Sequence, residues 1–218
     1  MINLIFVATG GATGAILRYI LTNLSKTIFT SSIYGTLTVN ILGCFLIGYL
    51  VTSDVAMEAV HQSIEFSSKN DVKIALTFSD LAMVKYFKDN FKSILNNKVD
   101  LLFCNEDEAK TFSGSDKLED SIKYLGKLSS TLVVTLGKNG SLIYHNGEKI
   151  TIDPYPTKAV DTVGAGDTYA GAFLYGITNG LSLKKSGELA SLLSSKVVSK
   201  IGPRLEKDDI LSNKNFFK

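Results

Sequence analysis

From Asp54 onward, short apolar runs alternate with segments whose apolar residues recur every three or four positions, the patterns of buried strands and one-sided helices. Val55–Lys69 reads as a helix and "VKIALTF" (72–78) as a buried strand. Val84, Phe87, Phe91, Ile94 and Leu95 then fall at helical spacing, one stripe to lay against a core. "VDLLFC" (99–104) predicts another strand, followed by short helices around Glu106–Phe112 and Lys117–Leu128. "TLVVTLG" (131–137) and "SLIYHNG" (141–147) flank a Gly-Lys-Asn-Gly turn, a hairpin-like signal, and "EKITIDPY" continues the β run. Helices over about Ala165–Asn179 and Ser182–Lys200 close the order. Alternating units of this length predict an α/β fold, a mostly parallel sheet with flanking helices.

Before Ser53 the pattern is different. Asn3–Leu24 and Ile33–Thr52 are apolar almost throughout, each about the 20 residues that a helix needs to cross a bilayer. Composition sharpens the seam. Arg18 and Lys26 are the only ionised side chains up to Ser53, so the formal charge of +2 belongs to that part and the remainder is balanced. A balanced remainder argues against a nucleic-acid-binding domain, which would show a basic stripe. Met1-Ile2-Asn3 lacks the basic start of a secretory signal, so the expectation is a membrane hairpin over residues 1–53, with residues 54–218 as a separate domain. Gly10 and Gly14 stand at the spacing that lets helix backbones approach, while Arg18 and Asn40 are polar groups that need a partner or a polar path inside an apolar span. Cys44 and Cys104 have neither metal-ligand spacing nor a reason to pair, which reads as a reducing compartment, and His61 and His145 are assigned no role.

Gly10, Gly11, Gly14, Ala15, Arg18 and Tyr19, followed by Thr36, Val39, Asn40 and Gly43, resemble the first two helices of the fluoride channel family (CrcB or Fluc). That resemblance implies a membrane protein exporting fluoride, with Arg18 and Asn40 as channel-like residues and Asn40 facing a pore. The family's third and fourth helices, which complete the pore, have no counterpart after Ser53.

Candidate chemistry concentrates in "DTVGAGDTYAGAF" (161–173), where small residues precede an apolar helix. Gly164, Ala165 and Gly166 leave backbone N–H groups free to point at one spot, where the helix dipole is positive: an anion site. Asp167, in the first turn, is placed to take a proton from a hydroxyl while those N–H groups steady a migrating phosphoryl group. Gly-rich turns capped by Asp are common, and three companions raise the functional reading. "TLGKNG" (135–140) offers Thr135, Gly137 and Gly140 as a strand end and tight turn able to lie against a nucleotide. "NEDEA" (105–109) places Asn105 and Glu108 after a buried strand, as oxygen ligands for hydrated Mg²⁺ or simply as a helix cap. Asp161 either binds a cation or caps the turn.

In this order and spacing, residues 55–205 resemble the ribokinase/PfkB family of ATP-dependent sugar and nucleoside kinases, with the ribokinase and bacterial adenosine kinase branch nearest. The resemblance implies Asp167 as catalytic base, Gly164, Ala165 and Gly166 as anion hole, and Thr135, Gly137 and Gly140 on the nucleotide side. It further implies Asn105 and Glu108 in the Mg²⁺ and phosphate element and Asp161 as a monovalent-cation ligand, potassium being the candidate ion. The expected ligands are ATP, Mg²⁺ and a small sugar or nucleoside, with no nucleic acid. Members of that family carry an N-terminal half that supplies most sugar contacts, so the resemblance implies a partial domain. A homo-oligomer, attachment to the inner membrane through residues 1–52 and a cytoplasmic kinase part complete the expectations.

Overall fold

The computed structural model describes residues 54–205, apart from 71 and 98, together with residue 209. The expected membrane hairpin, with Arg18 and Asn40, falls on residues outside those described. Among the described residues no helix is long and apolar enough to cross a membrane. Two compact units divide the chain at residues 1–60 and 61–218, and every element after helix α1 (Asp54–Lys69) belongs to the second.

Helix α1 (Asp54–Lys69) precedes strand β1 (Ala75–Thr77). Helices α2 (Leu81–Tyr86) and α3 (Lys88–Leu95) follow, then β2 (Val99–Asn105), α4 (Glu106–Ser113), α5 (Leu118–Leu125) and β3 (Ser129–Thr135). A 3₁₀ turn at Gly137–Asn139 leads into β4 (Ser141–His145) and β5 (Glu148–Ile152), and α6 (Ala165–Thr178) and α7 (Leu183–Val198) complete the unit. The strands lie in chain order, β1-β2-β3-β4-β5. β1, β2 and β3 run parallel, whereas β3–β4 and β4–β5 are antiparallel.

The sheet is therefore mixed, a correction to the mostly parallel expectation. Its cause is the length of the last two connections, since parallel strands need a crossover of a dozen or more residues and these turns have only a few. Asn146 and Gly147 both take positive φ (51° and 86°), the requirement of a two-residue hairpin turn. That turn ends β4 at His145, two residues before the strand expected from the sequence. The expected strand 72–78 likewise contracts to Ala75–Thr77, and the expected single stripe from Val84 to Leu95 is broken at Phe87 (φ −119°, ψ 28°), which ends α2 and caps α3.

β2 and β3 are buried on both faces, which is why they read as continuous apolar runs. On one face Leu101, Phe103, Val133, Ile143 and Ile152 pack against Tyr169, Phe173, Leu189 and Leu193 of α6 and α7. The helices approach closely because Gly176 faces Ser186, and α7 meets the sheet because Gly187 lies against Ile152 and Ile143. Elsewhere the core holds an aromatic cluster, Phe78 against Phe91 (5.1 Å between ring centroids) and against Phe112 (4.8 Å). Asn105 and Glu108, read from sequence as cation ligands or as a helix cap, form a capping box at the end of β2 and start α4.

Candidate active site

Helix α6 begins at a left-handed Gly164 (φ 79°, ψ 1°). A Cβ there would lie 2.6 Å from Pro203 Cβ and 2.8 Å from the Pro203 carbonyl oxygen, so both conformation and space demand glycine. Ala165 donates its N–H to the Thr162 carbonyl (3.3 Å) and Thr168 to the Gly164 carbonyl (2.9 Å). Between them, the amides of Gly166 and Asp167 start the helix with no carbonyl one turn back inside it. A Cβ at Gly166 would meet nothing within 4 Å. Asp167 is exposed rather than turned into the core. From α7, Ser194 donates its hydroxyl to the Ala165 carbonyl (3.1 Å) and ties this helix start to the neighbouring helix.

The second wall comes from the end of β3. Gly140 (φ 85°) has no room for a Cβ, which would lie 2.1 Å from the Ile152 carbonyl oxygen, and it closes the turn by accepting from the Leu136 N–H (2.8 Å). The residue after it, fully buried Ser141, shares a 2.6 Å hydrogen bond with the hydroxyl of Tyr169, two residues beyond Asp167. Burial pushes that Tyr169 hydroxyl up to about 12, so at neutral pH it is protonated and able to donate. The two walls enclose a cavity of about 390 Å³ whose lining includes Thr135, Gly137, Gly140, Ala165 and Gly166.

Asn105 stands beside Thr135 in the β2–β3 register, at the C-terminal edge of the parallel strands. There the Asn105 side-chain oxygen accepts from the Glu108 N–H (2.8 Å), while the Glu108 carboxylate accepts from the Asn105 N–H (2.9 Å) and side-chain amide (2.8 Å). Burial raises the Glu108 carboxyl above its usual range, opposed by the Asn105 N–H bond. Asp161 accepts from the N–H groups of Val163 and Gly202 (3.0 Å each), which hold its carboxyl below the ordinary aspartate range and staple the loop before α6 to the segment after α7. Both carboxylates thus hold protein donors first. Among the described residues no three His, Cys, Asp or Glu side chains gather as a metal cage. Asn105 and Glu108 are oxygen-bearing side chains of the kind that would hold a hydrated hard cation.

Of the residues singled out from sequence, Thr135, Gly137, Gly140, Ala165 and Gly166 line one cavity; Gly164, Asp167, Asn105, Glu108 and Asp161 do not line it. Sequence reasoning missed Lys138, Tyr169 and Ser194, which do. Small residues clustered in "SLLSSK" (191–196) were the available signal for α7's contribution. Cys104 is buried, with its thiol pushed up by burial, and takes no part.

Known proteins resemble this chain in sequence and in fold. The chain is 37% identical to a ribokinase of Lactococcus lactis over 57% of its own length and 45% of the relative's. Among solved structures it resembles a probable sugar kinase from Rhizobium etli (TM-score 0.72, 30% identity, 77% of this chain and 52% of that one). An adenosine kinase from Sinorhizobium meliloti gives the same TM-score at 28% identity, covering 77% of this chain and 52% of its own. The chain spans about half the length of the relatives it matches. The profile of the pfkB family carbohydrate kinases matches residues 40–209, beginning inside the second apolar stretch. The chain belongs to the pfkB family of carbohydrate kinases.

Proposed function

We propose that this chain carries the nucleotide and phosphoryl-transfer half of an ATP-dependent kinase whose acceptor is a hydroxyl of a sugar or nucleoside. The observation that carries the reading is the cavity shared by the Thr135–Gly140 turn and the start of α6, with exposed Asp167 one residue past Gly166. Mg-ATP, when bound, supplies the γ-phosphoryl group and an ion that offsets phosphate charge. The amides of Gly166 and Asp167 stabilise negative charge at the helix start, where the dipole adds to them. The Asp167 carboxylate takes the proton from the attacking hydroxyl. Asn105 and Glu108, locked together at the strand edge, orient the phosphate side through water. The loop staple at Asp161 supports a positioning role; a potassium site there rests on the family resemblance alone.

The names of the relatives, ribokinase and adenosine kinase, favour a sugar or nucleoside acceptor. The channel-like reading of residues 1–52 rests on Arg18, Asn40 and glycine spacing, and nothing in the described residues adds to it. The kinase reading is tested by thermal unfolding of the purified chain with and without Mg-ATP. Mg-ATP is expected to raise the melting temperature, Gly166→Asp to abolish the rise, and Asp167→Asn to keep it while lowering phosphoryl transfer by at least ~10²-fold. A wild-type melting temperature indifferent to Mg-ATP would overturn the reading.

A further inference from the structure

The two walls of the cavity are joined by a buried contact, the 2.6 Å hydrogen bond between the Ser141 and Tyr169 hydroxyls. Both of its ends are held. Ser141 is fully buried at the first position of β4, where it pairs with Thr135 of β3 on one side and Ile152 of β5 on the other. Gly140, immediately before it, is pressed against the Ile152 carbonyl. The Tyr169 ring stacks on Phe173 (6.4 Å between centroids, 17° between planes), and Phe173 meets Phe103 of β2 edge-on (5.7 Å, 85°). Tyr169 follows Ala165 and Gly166 at the helical spacing that puts all three on one face of α6, and all three line the cavity. The bond therefore runs from the residue beside the Thr135–Gly140 turn to the helix face that carries the start of α6.

Stability gives little reason for this bond. Two buried hydroxyls replaced together by apolar groups of the same shape cost little, because each hydroxyl gives up its water on folding. Tyr169→Phe with Ser141→Ala would keep the ring stack and the strand register. What the apolar face of α6 does not supply is direction: contacts such as Phe173 against Phe103 tolerate a small slide of the helix along the sheet, whereas a hydrogen bond weakens steeply once its geometry is lost. We infer that Tyr169 and Ser141 are positioning residues: their bond fixes the spacing of the two cavity walls, so that one phosphate-bearing ligand meets the Thr135–Gly140 turn and the start of α6 together. The inference rests on the nucleotide reading of the cavity. Its scale follows from the cost of misplacement, since a shift of about 1 Å between groups that act on one ligand can cost about 10²-fold.

The test combines calorimetric titration of Mg-ATP with thermal unfolding of the full chain as wild type, Tyr169→Phe, Ser141→Ala and the double variant. Each single change leaves a buried hydroxyl without this partner and is expected to lower the melting temperature by roughly 3–10 °C; the double change removes both hydroxyls and is expected to bring it most of the way back. Mg-ATP affinity, measured below every melting temperature, is expected to be about tenfold weaker in all three variants and not to recover in the double. A double variant that recovers affinity along with stability shows a bond that serves packing alone and overturns the inference. Single variants that bind Mg-ATP as wild type does overturn it too and leave the nucleotide site standing. Failure of the wild type to bind Mg-ATP overturns the nucleotide reading, and the inference with it.

Discussion

The two loops that close the cavity each carry a pair of glycines, and the pairs differ. In the turn after β3 both take positive φ, Gly137 at 57° and Gly140 at 85°, so the backbone itself accounts for them. At the start of α6 only Gly164 is explained in this way. Gly166 sits in ordinary helix with open space where a Cβ would be, and nothing in the chain's own packing requires it to be small. Folding explains three of these glycines. The fourth makes sense when a ligand must approach the backbone.

Substitution separates the two kinds of glycine, and the largest effect is expected at Gly164. In Gly164→Ala the new Cβ meets Pro203 at 2.6–2.8 Å on a positive-φ backbone, and the loss of unfolding free energy in urea is expected to be about 2–4 kcal/mol. A loss under about 0.5 kcal/mol, the range of an ordinary surface change, would break the comparison from the structural side. Gly166→Ala is expected to do the reverse: stability unchanged or higher by up to about 1 kcal/mol, because alanine favours helix, with ATP affinity reduced about tenfold. An ATP affinity equal to wild type in that variant would break the comparison from the functional side.

The smallest effect concerns the acid behaviour of the same loop. Asp161 has its folded pKa lowered by the Val163 and Gly202 amides, so the stability it contributes is present above the ordinary aspartate value, about 3.9, and is lost as pH falls through the lower folded value. Asp161→Asn is expected to be less stable than wild type at neutral pH, with the gap closing in acid. A gap that stays constant from neutral pH to pH 2 would show that the carboxylate's charge is not what holds the loop.

Much of this was legible because it is local. The start of α4 is announced by Asn105, whose side chain caps its own backbone within three residues; that cap is made, and Asp80 and Ser182 cap α2 and α7 in the same way. The apolar runs of β2 and β3 mark strands covered on both faces. The expectation and the structure part at Phe87, which interrupts a stripe whose periodicity is intact, and at Asn146-Gly147, which is turn rather than the end of a strand. Within the candidate site, Asp167 and Gly166 stand out in the sequence through their place at a helix start, whereas nothing local marks Lys138 as lining a cavity.

The sequence by itself determined the order of helices and strands, the cap at Asn105, the hairpin-like turn after β3, and that a small-residue loop opens onto an acid at a helix mouth, because hydrogen bonding and burial period act over a few residues. Tertiary structure alone decided the 2.6 Å bond from Ser141 to Tyr169, the reach of Asp161 to Gly202, and the joining of two distant loops around one cavity. Those contacts join residues 28 and 41 positions apart, and no local pattern encodes such a meeting; it follows only when the apolar faces of α6 and α7 have found the sheet.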